Sequence, residues 1–301
     1  MQGVVLGMSD ASVPLCVIVG GYQCGKSTLV NCLLDGVYTP MGRGVATTRH
    51  NLRFSYGERE GAWVFPQAGE ARELGSREEL FAQEGSFSPG DVFCITAWKP
   101  LLQRVKLVDT PGFGECEEVD RIGNQALEEA ELAILVMGSG KSLDETTRNY
   151  LRRLYDQGKK GMVLFNCTNE QRPSPQENEE ICQVVSDELL EAGVADCLLP
   201  IEGKLVYPVN ALWAWYALGY LQREAPRRAR AIDRYWEEEG LDIAAGRDGI
   251  LEASGVLKVR KTLENWLDFS VDHLVHNHSQ ELSAWISRWR KEIGKCLSHW
   301  E

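Results

Sequence analysis

Apolar residues along this chain come in short runs, divided by glycine-rich, polar or helix-patterned stretches. Pro14–Gly20 (PLCVIVG) is an unbroken apolar run ending in glycine, the pattern of a strand buried on both faces. Lys26–Leu34 has helical composition, so strand, glycine-rich turn and helix follow in order. Asp35–Arg49 reads as a loop and Leu52–Tyr56 as a strand. Glu58–Gly90, rich in Glu, Gly and Ser, reads as an exposed insertion (about 57–91) with a short helix at Ser76–Ala82. Strands are then predicted at Val92–Trp98, Val105–Val108, Leu132–Met137, Gly161–Phe165 and Leu205–Val209. Helices are predicted at Asn124–Ala130, Leu143–Gln157, up to Ala192, and at the aromatic stretch Ala211–Leu221. Strands alternating with helices imply an α/β fold with a mostly parallel sheet covered on both faces.

Beyond Arg223 the pattern changes. Pro226–Arg230 is basic and Trp236–Asp248 acidic and glycine-punctuated. From Thr262 the apolar positions Leu263, Trp266, Leu267, Leu274, Leu282, Trp285, Ile286, Trp289, Ile293, Leu297 and Trp300 recur mostly at helical spacing. A continuous helix there would be roughly 57 Å long at 1.5 Å per residue, too long for one small domain. The expected division is a domain at 1–268 and a helical neck or stalk segment at 269–301.

Composition narrows the partners. Across 301 residues, 44 acidic side chains outnumber 32 basic ones, a net charge of −12. That balance disfavours nucleic acid as a partner of the whole surface. The nine cysteines show no CxxC pair, which points to reduced thiols and against a cysteine metal site. No apolar run reaches 18 residues, and the first residues lack a basic and apolar leader pattern. The expected compartment is the cytoplasm, with a peripheral position on a membrane left open.

The strongest local signal is Gly20-Gly21-Tyr22-Gln23-Cys24-Gly25-Lys26-Ser27, a G-x-x-x-x-G-K-[ST] match without a mismatch. Its glycines let successive backbone N–H groups point at phosphate oxygens, at the positive end of the following helix. Lys26 is placed to reach the β- and γ-phosphates, the Ser27 hydroxyl to ligate Mg²⁺, and Thr28 to lie near the α-phosphate. Asp109-Thr110-Pro111-Gly112 follows an apolar strand directly. A carboxylate there can hold Mg²⁺ through water, and the Gly112 N–H can meet a γ-phosphate. Thr47 and Thr48 lie in the loop before the second strand; they either close over Mg²⁺ and the γ-phosphate or serve as β-formers entering that strand.

These elements, in this order, resemble the nucleotide motifs of the GTPase superfamily, and their wording resembles bacterial dynamin-like GTPases. IVGGYQCGKSTLVN (18–31) resembles the dynamin-type phosphate loop, and GRGVATTRHNLRFSYGE (42–58) the first switch and its strand. WKPLLQRVKLVDTPGFGECEEVD (98–120) resembles the strand and second switch of bacterial members. YPVNALWAWYALGYL (207–221), with Asn210, occupies the place of the fifth, base-contacting motif, and SGVLKVRKTLENWL (254–267) resembles the stretch where such domains end. The resemblance implies a P-loop GTPase domain binding GTP or GDP with Mg²⁺, joined to a helical stalk. It also implies a homodimer or higher assembly, and contact with membrane lipid through a missing or separate region.

Departures from the family pattern bear on mechanism. The base motif is usually Asn-Lys-x-Asp, whereas the matching place reads Asn166-Cys167-Thr168-Asn169. An Asp accepts two hydrogen bonds from guanine, while Asn offers one acceptor and a competing donor. Tyr22-Gln23 stands where dynamins carry Gln-Ser, and Phe113 follows Gly112 where a Gln would orient water. Gln23, Thr48 or a partner chain is then left to position the attacking water. Two functions remain open: slow GTP hydrolysis coupled to assembly, or a nucleotide-dependent switch with little turnover or relaxed base choice. Elsewhere, Cys24 reads as a small loop filler rather than a redox switch, and His50 as a loop or strand-surface residue. Trp213, Trp215, Tyr216 and Tyr220 read as core packing rather than a membrane patch, and His273, His276 and His278 as a solvated helix face.

Overall fold

The computed structural model describes residues 13–39, 50–67, 70–83, 86–88, 90–113, 117–138, 143–167, 175–238 and 246–269. The predicted histidine face and most of the predicted long C-terminal helix lie outside them, as do Thr47, Thr48 and Asn169. The chain divides into two units, Met1–Val259 and Arg260–Glu301. Of the second, residues 260–269 are described; they are helical, with Arg260 bonded to Glu264 one turn on.

Nine strands form one sheet among the described residues. In chain order they are β1 (Leu15–Gly20), β2 (Leu52–Tyr56), β3 (Gly61–Phe65), β4 (Arg72–Leu74) and β5 (Val92–Ala97). The others are β6 (Lys106–Asp109), β7 (Leu132–Met137), β8 (Lys160–Asn166) and β9 (Val206–Val209). Their spatial order is β4-β3-β5-β2-β6-β1-β7-β8-β9. The run β6-β1-β7-β8-β9 is parallel, as is the β2–β5 pair, while β2–β6, β3–β5 and β3–β4 are antiparallel. The sheet is therefore mostly parallel. Strands β1 and β7 (LCVIVG and LAILVM) are buried at every position, because helices cover both faces.

The helices are α1 (Lys26–Leu34), α2 (Arg77–Gln83), α3 (Glu117–Glu129), α4 (Glu145–Asp156) and α5 (Pro175–Glu191). They continue with α6 (Ala211–Ala217), α7 (Leu221–Glu224), α8 (Pro226–Glu238) and α9 (Gly246–Ala253). Alternate residues of the parallel strands, such as Val17, Ala133, Leu135, Val163 and Phe165, form one core with α3, α4 and α5. On the opposite side α1 packs against α6, where the Cys32 thiol donates to the Ala211 carbonyl. Caps set the helix starts: the Asp144 side chain accepts from the Thr147 N–H at 2.7 Å, closing the first turn of α4.

Two regions differ from the sequence expectation. The segment read as an exposed insertion supplies β3 and β4, which extend the sheet by an edge. The basic stretch after Arg223 opens α8, and α9 begins at Gly246; α8 buries Ala229, Ile232 and Trp236 at helical spacing. Trp213 and Trp215 are fully buried, with Trp213 edge-on to Trp236 and Trp215 stacked on Tyr220. The two tryptophans are core, as their pattern suggested, while Tyr216 and Tyr220 are half-buried.

Candidate nucleotide site

The Gly20–Gly25 loop leaves the C-terminal end of β1 and turns into α1, so the helix start faces the loop. Gly25 caps that helix at φ 92°, and a Cβ there would lie 2.1 Å from the Asn166 amide nitrogen. Only glycine meets both demands. Gln23 sits in the left-handed region at φ 56°, exposed at the loop apex, and its amide donates to the Tyr22 hydroxyl at 3.1 Å.

Lys26 is buried, and its ammonium donates to the Gly20 and Gly21 carbonyls at 3.0 and 2.9 Å. Ser27 Oγ donates to Asp109 Oδ2 at 2.7 Å, across 82 residues of sequence. Asp109 ends β6, beside β1 in the sheet, and is fully buried. Its other oxygen, Oδ1, has no hydrogen-bond partner. Burial pushes the Asp109 carboxyl up to about 6, against the opposing pull of the Ser27 hydrogen bond and the Lys26 charge. Thr28 is half-buried on the first turn of α1.

The stretch after Asp109 is bound back onto the loop. Thr110 Oγ1 donates to the Ile18 carbonyl at 2.8 Å, and the Phe113 N–H to the Gly20 carbonyl at 3.2 Å. A Cβ on Gly112 would lie 2.7 Å from Tyr22 Cα, so the two segments touch backbone to backbone. The Phe113 ring is buried and stacks on Tyr150 of α4, filling the place after Gly112 with a side chain that donates nothing.

Asn166 ends β8 and spends both ends of its amide inside the protein. Its Nδ2 donates to the Cys24 carbonyl at 2.7 Å, and its Oδ1 accepts from the Ala211 N–H at 3.0 Å. It thereby joins the phosphate loop to the start of α6. Asn210 caps α6, accepting from the Trp213 N–H at 3.0 Å. Cys24 is buried, and burial raises its thiol above the usual range with Lys26 opposing, which fits a loop filler. His50, expected as a loop or strand-surface residue, lies in the loop before β2 but is buried, with its ring 4.5 Å from that of Phe93.

One side chain of the site escaped the sequence reading. Asn31, buried on α1, accepts from the Tyr38 and Thr39 N–H groups at 2.8 and 2.9 Å and donates to the Thr39 carbonyl at 3.0 Å. Thr39 Oγ1 in turn donates to the Ser27 carbonyl at 3.1 Å, fixing the chain just before residues 40–49. The available signal was a lone amide among the apolar residues of KSTLVNCLL.

A G-x-x-x-x-G-K-S loop after β1, with a carboxylate ending the adjacent parallel strand, defines an α/β fold of the P-loop NTPase class. Within that class, the Dynamin family model matches residues 16–167, and the chain belongs to the dynamin family. A relative in Arabidopsis thaliana, the probable transmembrane GTPase FZO-like, chloroplastic, is 27% identical over 199 residues, which is 65% of this chain and 19% of that protein. Two solved structures of an oligomerised bacterial dynamin pair, described in terms of long-range sensing and tethering of membranes, share the fold at 16% identity. Their TM-scores are 0.55 and 0.53, covering 93% and 95% of this chain and 45% and 55% of theirs. The chain thus spans about a fifth of its plant relative and about half of each bacterial chain.

No helix among the described residues is long and apolar enough to cross a membrane. The cysteines described are free and buried, and no group of three or more His, Cys, Asp or Glu there is placed to hold a metal. A nucleotide-dependent Mg²⁺ needs fewer protein ligands, since phosphates and water supply the rest. The donors present fit one: a hydroxyl and a carboxylate 2.7 Å apart, with one buried carboxylate oxygen lacking a partner.

Proposed function

We propose that this chain is a Mg²⁺-dependent GTP-binding and GTP-hydrolysing domain that couples nucleotide state to self-assembly or membrane remodelling. The observation that carries the reading is the Ser27–Asp109 contact beside Lys26, at the C-terminal ends of two adjacent parallel strands. Lys26 would exchange the Gly20 and Gly21 carbonyls for β- and γ-phosphate oxygens. The backbone N–H groups from Gly21 to Thr28 would neutralise the remaining phosphate charge. Ser27, Thr48 and Asp109 would hold Mg²⁺, which supplies positive charge against the β- and γ-oxygens. Thr47 and Thr48 would close over that end, and the Gly112 N–H would meet the γ-phosphate. Gln23 or Thr48 would orient the attacking water. Asn166 would hold the loop against the base side, and Asn169 and the Asn210 turn would contact the base.

A second reading, a nucleotide switch with little hydrolysis or relaxed base choice, is favoured by Phe113. Its buried ring occupies the position after Gly112 and brings no donor to a water. The two part on one measurement: phosphate release from GTP and from ATP over a range of protein concentrations. Turnover of GTP that rises per molecule with concentration supports assembly-coupled hydrolysis across the nucleotide face. Nucleotide binding with flat, negligible release supports the switch.

A further inference from the structure

Helix α8 carries its charges in the order a helix disfavours. Its sequence, PRRARAIDRYWEE, puts arginines in the first turn and glutamates in the last, against the helix dipole. Arg227, Arg230 and Arg234 are spaced by three and four residues, so they share one face, opposite the buried Ala229, Ile232 and Trp236. All three are exposed, and among the described residues none forms an ion pair. In a chain of net charge −12, three exposed arginines that form no ion pair among the described residues and that include two set against the dipole of their own helix call for a purpose outside that helix.

Helix α5 presents the complement. Glu180, Val184, Asp187 and Glu191 follow at steps of four, three and four on one exposed face. Flanking acids of α5 are neutralised within the molecule, Glu179 by Lys204 and Glu188 by Arg148. Glu180 and Glu191 have no such partner among the described residues. Between them Val184 is 48% exposed, an apolar side chain in the middle of an acidic stripe. The steps from Val184 to Asp187 to Glu191 repeat those from Arg227 to Arg230 to Arg234, each spanning about 10 Å of helix.

The stripes cannot satisfy each other within one molecule. Helix α5 packs in the core on one side of the sheet with α3 and α4, whereas α8 packs on α6 and α7, on the side of α1. We infer that the arginine face of α8 docks on the acidic face of α5 in a second copy of this chain, a head-to-tail contact independent of nucleotide. Because each copy offers both faces, the contact is heterologous and runs from copy to copy, into a ring if its rotation closes and a filament if it does not. Opposed potentials of this kind set register and partner choice.

Charge reversal tests this on the full chain without nucleotide. The probes are R227E/R230E/R234E and E180R/D187R/E191R, compared with wild type by sedimentation velocity at low and raised salt. Wild type should associate at low salt, and the part of that association carried by α8 and α5 should weaken as salt is raised. Each variant alone should associate at least about tenfold more weakly. The equimolar mixture of the two should recover association, since each then meets an opposite charge. The arginine-reversed variant should melt no lower than wild type, because Glu in the first turn of α8 suits the helix dipole. Wild type that stays monomeric, a variant that associates as wild type does, or a mixture that fails to assemble would each overturn the proposal. So would vesicles of anionic phospholipid, or duplex DNA, captured through the same arginines while self-association is unchanged.

Discussion

Asp109 shows at one residue how a site costs stability. Its carboxyl titrates near 6 in the folded protein against an ordinary 3.8, so the folded state binds a proton more tightly than the unfolded. The contribution of this one group to stability is then greatest below about 4, falls as pH rises through the interval up to about 6, and is flat above. At neutral pH the buried charge costs about 3 kcal/mol. Asp109→Asn keeps the shape and removes the charge. Thermal melts of the nucleotide-free protein should show a higher Tm at pH 7 and a flattened profile between about 4 and 6. Magnesium-supported triphosphate binding should weaken in the same variant; a lower Tm would mean that the charge is compensated inside the protein. Lys26→Ala should abolish triphosphate binding, since among the described residues no second cation bonds the Gly20 and Gly21 carbonyls; micromolar binding by titration calorimetry would defeat the phosphate-site reading. On the proposed placing of residue 169 beside the base, Asn169→Asp would supply a second acceptor for guanine and should raise the GTP-to-ATP affinity ratio. An unchanged ratio would place base reading elsewhere, for example at the Val209–Leu212 turn.

At the scale of elements, α1 and the five residues after it act as one piece through Asn31. Removing that amide leaves the Tyr38 and Thr39 N–H groups and the Thr39 carbonyl without partners in a buried place. Asn31→Ala should cost about 3 kcal/mol in denaturant unfolding and weaken nucleotide binding, because Thr39 is bonded to the Ser27 carbonyl. Full stability in the variant would show that the loop holds itself. The strand–loop–helix around Lys26 was legible in the sequence because an apolar run, a glycine motif and a helical stretch all agree there. So was the Asp109 strand end. Strand β3 was not, because GAWVF alternates between buried and half-exposed over only five residues amid Glu, Gly and Ser. Helix α8 was hidden by its charges, although Ala229, Ile232 and Trp236 stand at spacings of three and four. The contacts of Asn166 and Asn31 join residues whose pairing no local pattern encodes.

For the whole molecule, the open question is which part carries association. The helical residues after Arg260 form a unit of their own with their continuation, and the sequence there places Trp285, Trp289, Ile293 and Trp300 on one predicted face. Each would gain roughly 1.5–3 kcal/mol by burial against a partner. Such an apolar contact tightens or holds with salt, whereas docking of α8 on α5 fades as ions screen it. A chain ending at residue 270 keeps every element from β1 to α9 and the Ser27–Asp109 contact. Its GTP affinity should stay within about twofold of the full chain, because binding energy resides in the loop and its backing strands. Its salt-resistant association should disappear while any salt-sensitive association persists, a difference read by sedimentation at two ionic strengths. If the shortened chain unfolds instead, residues 271–301 belong to the nucleotide-binding fold, and the proposed division into domain and neck is wrong.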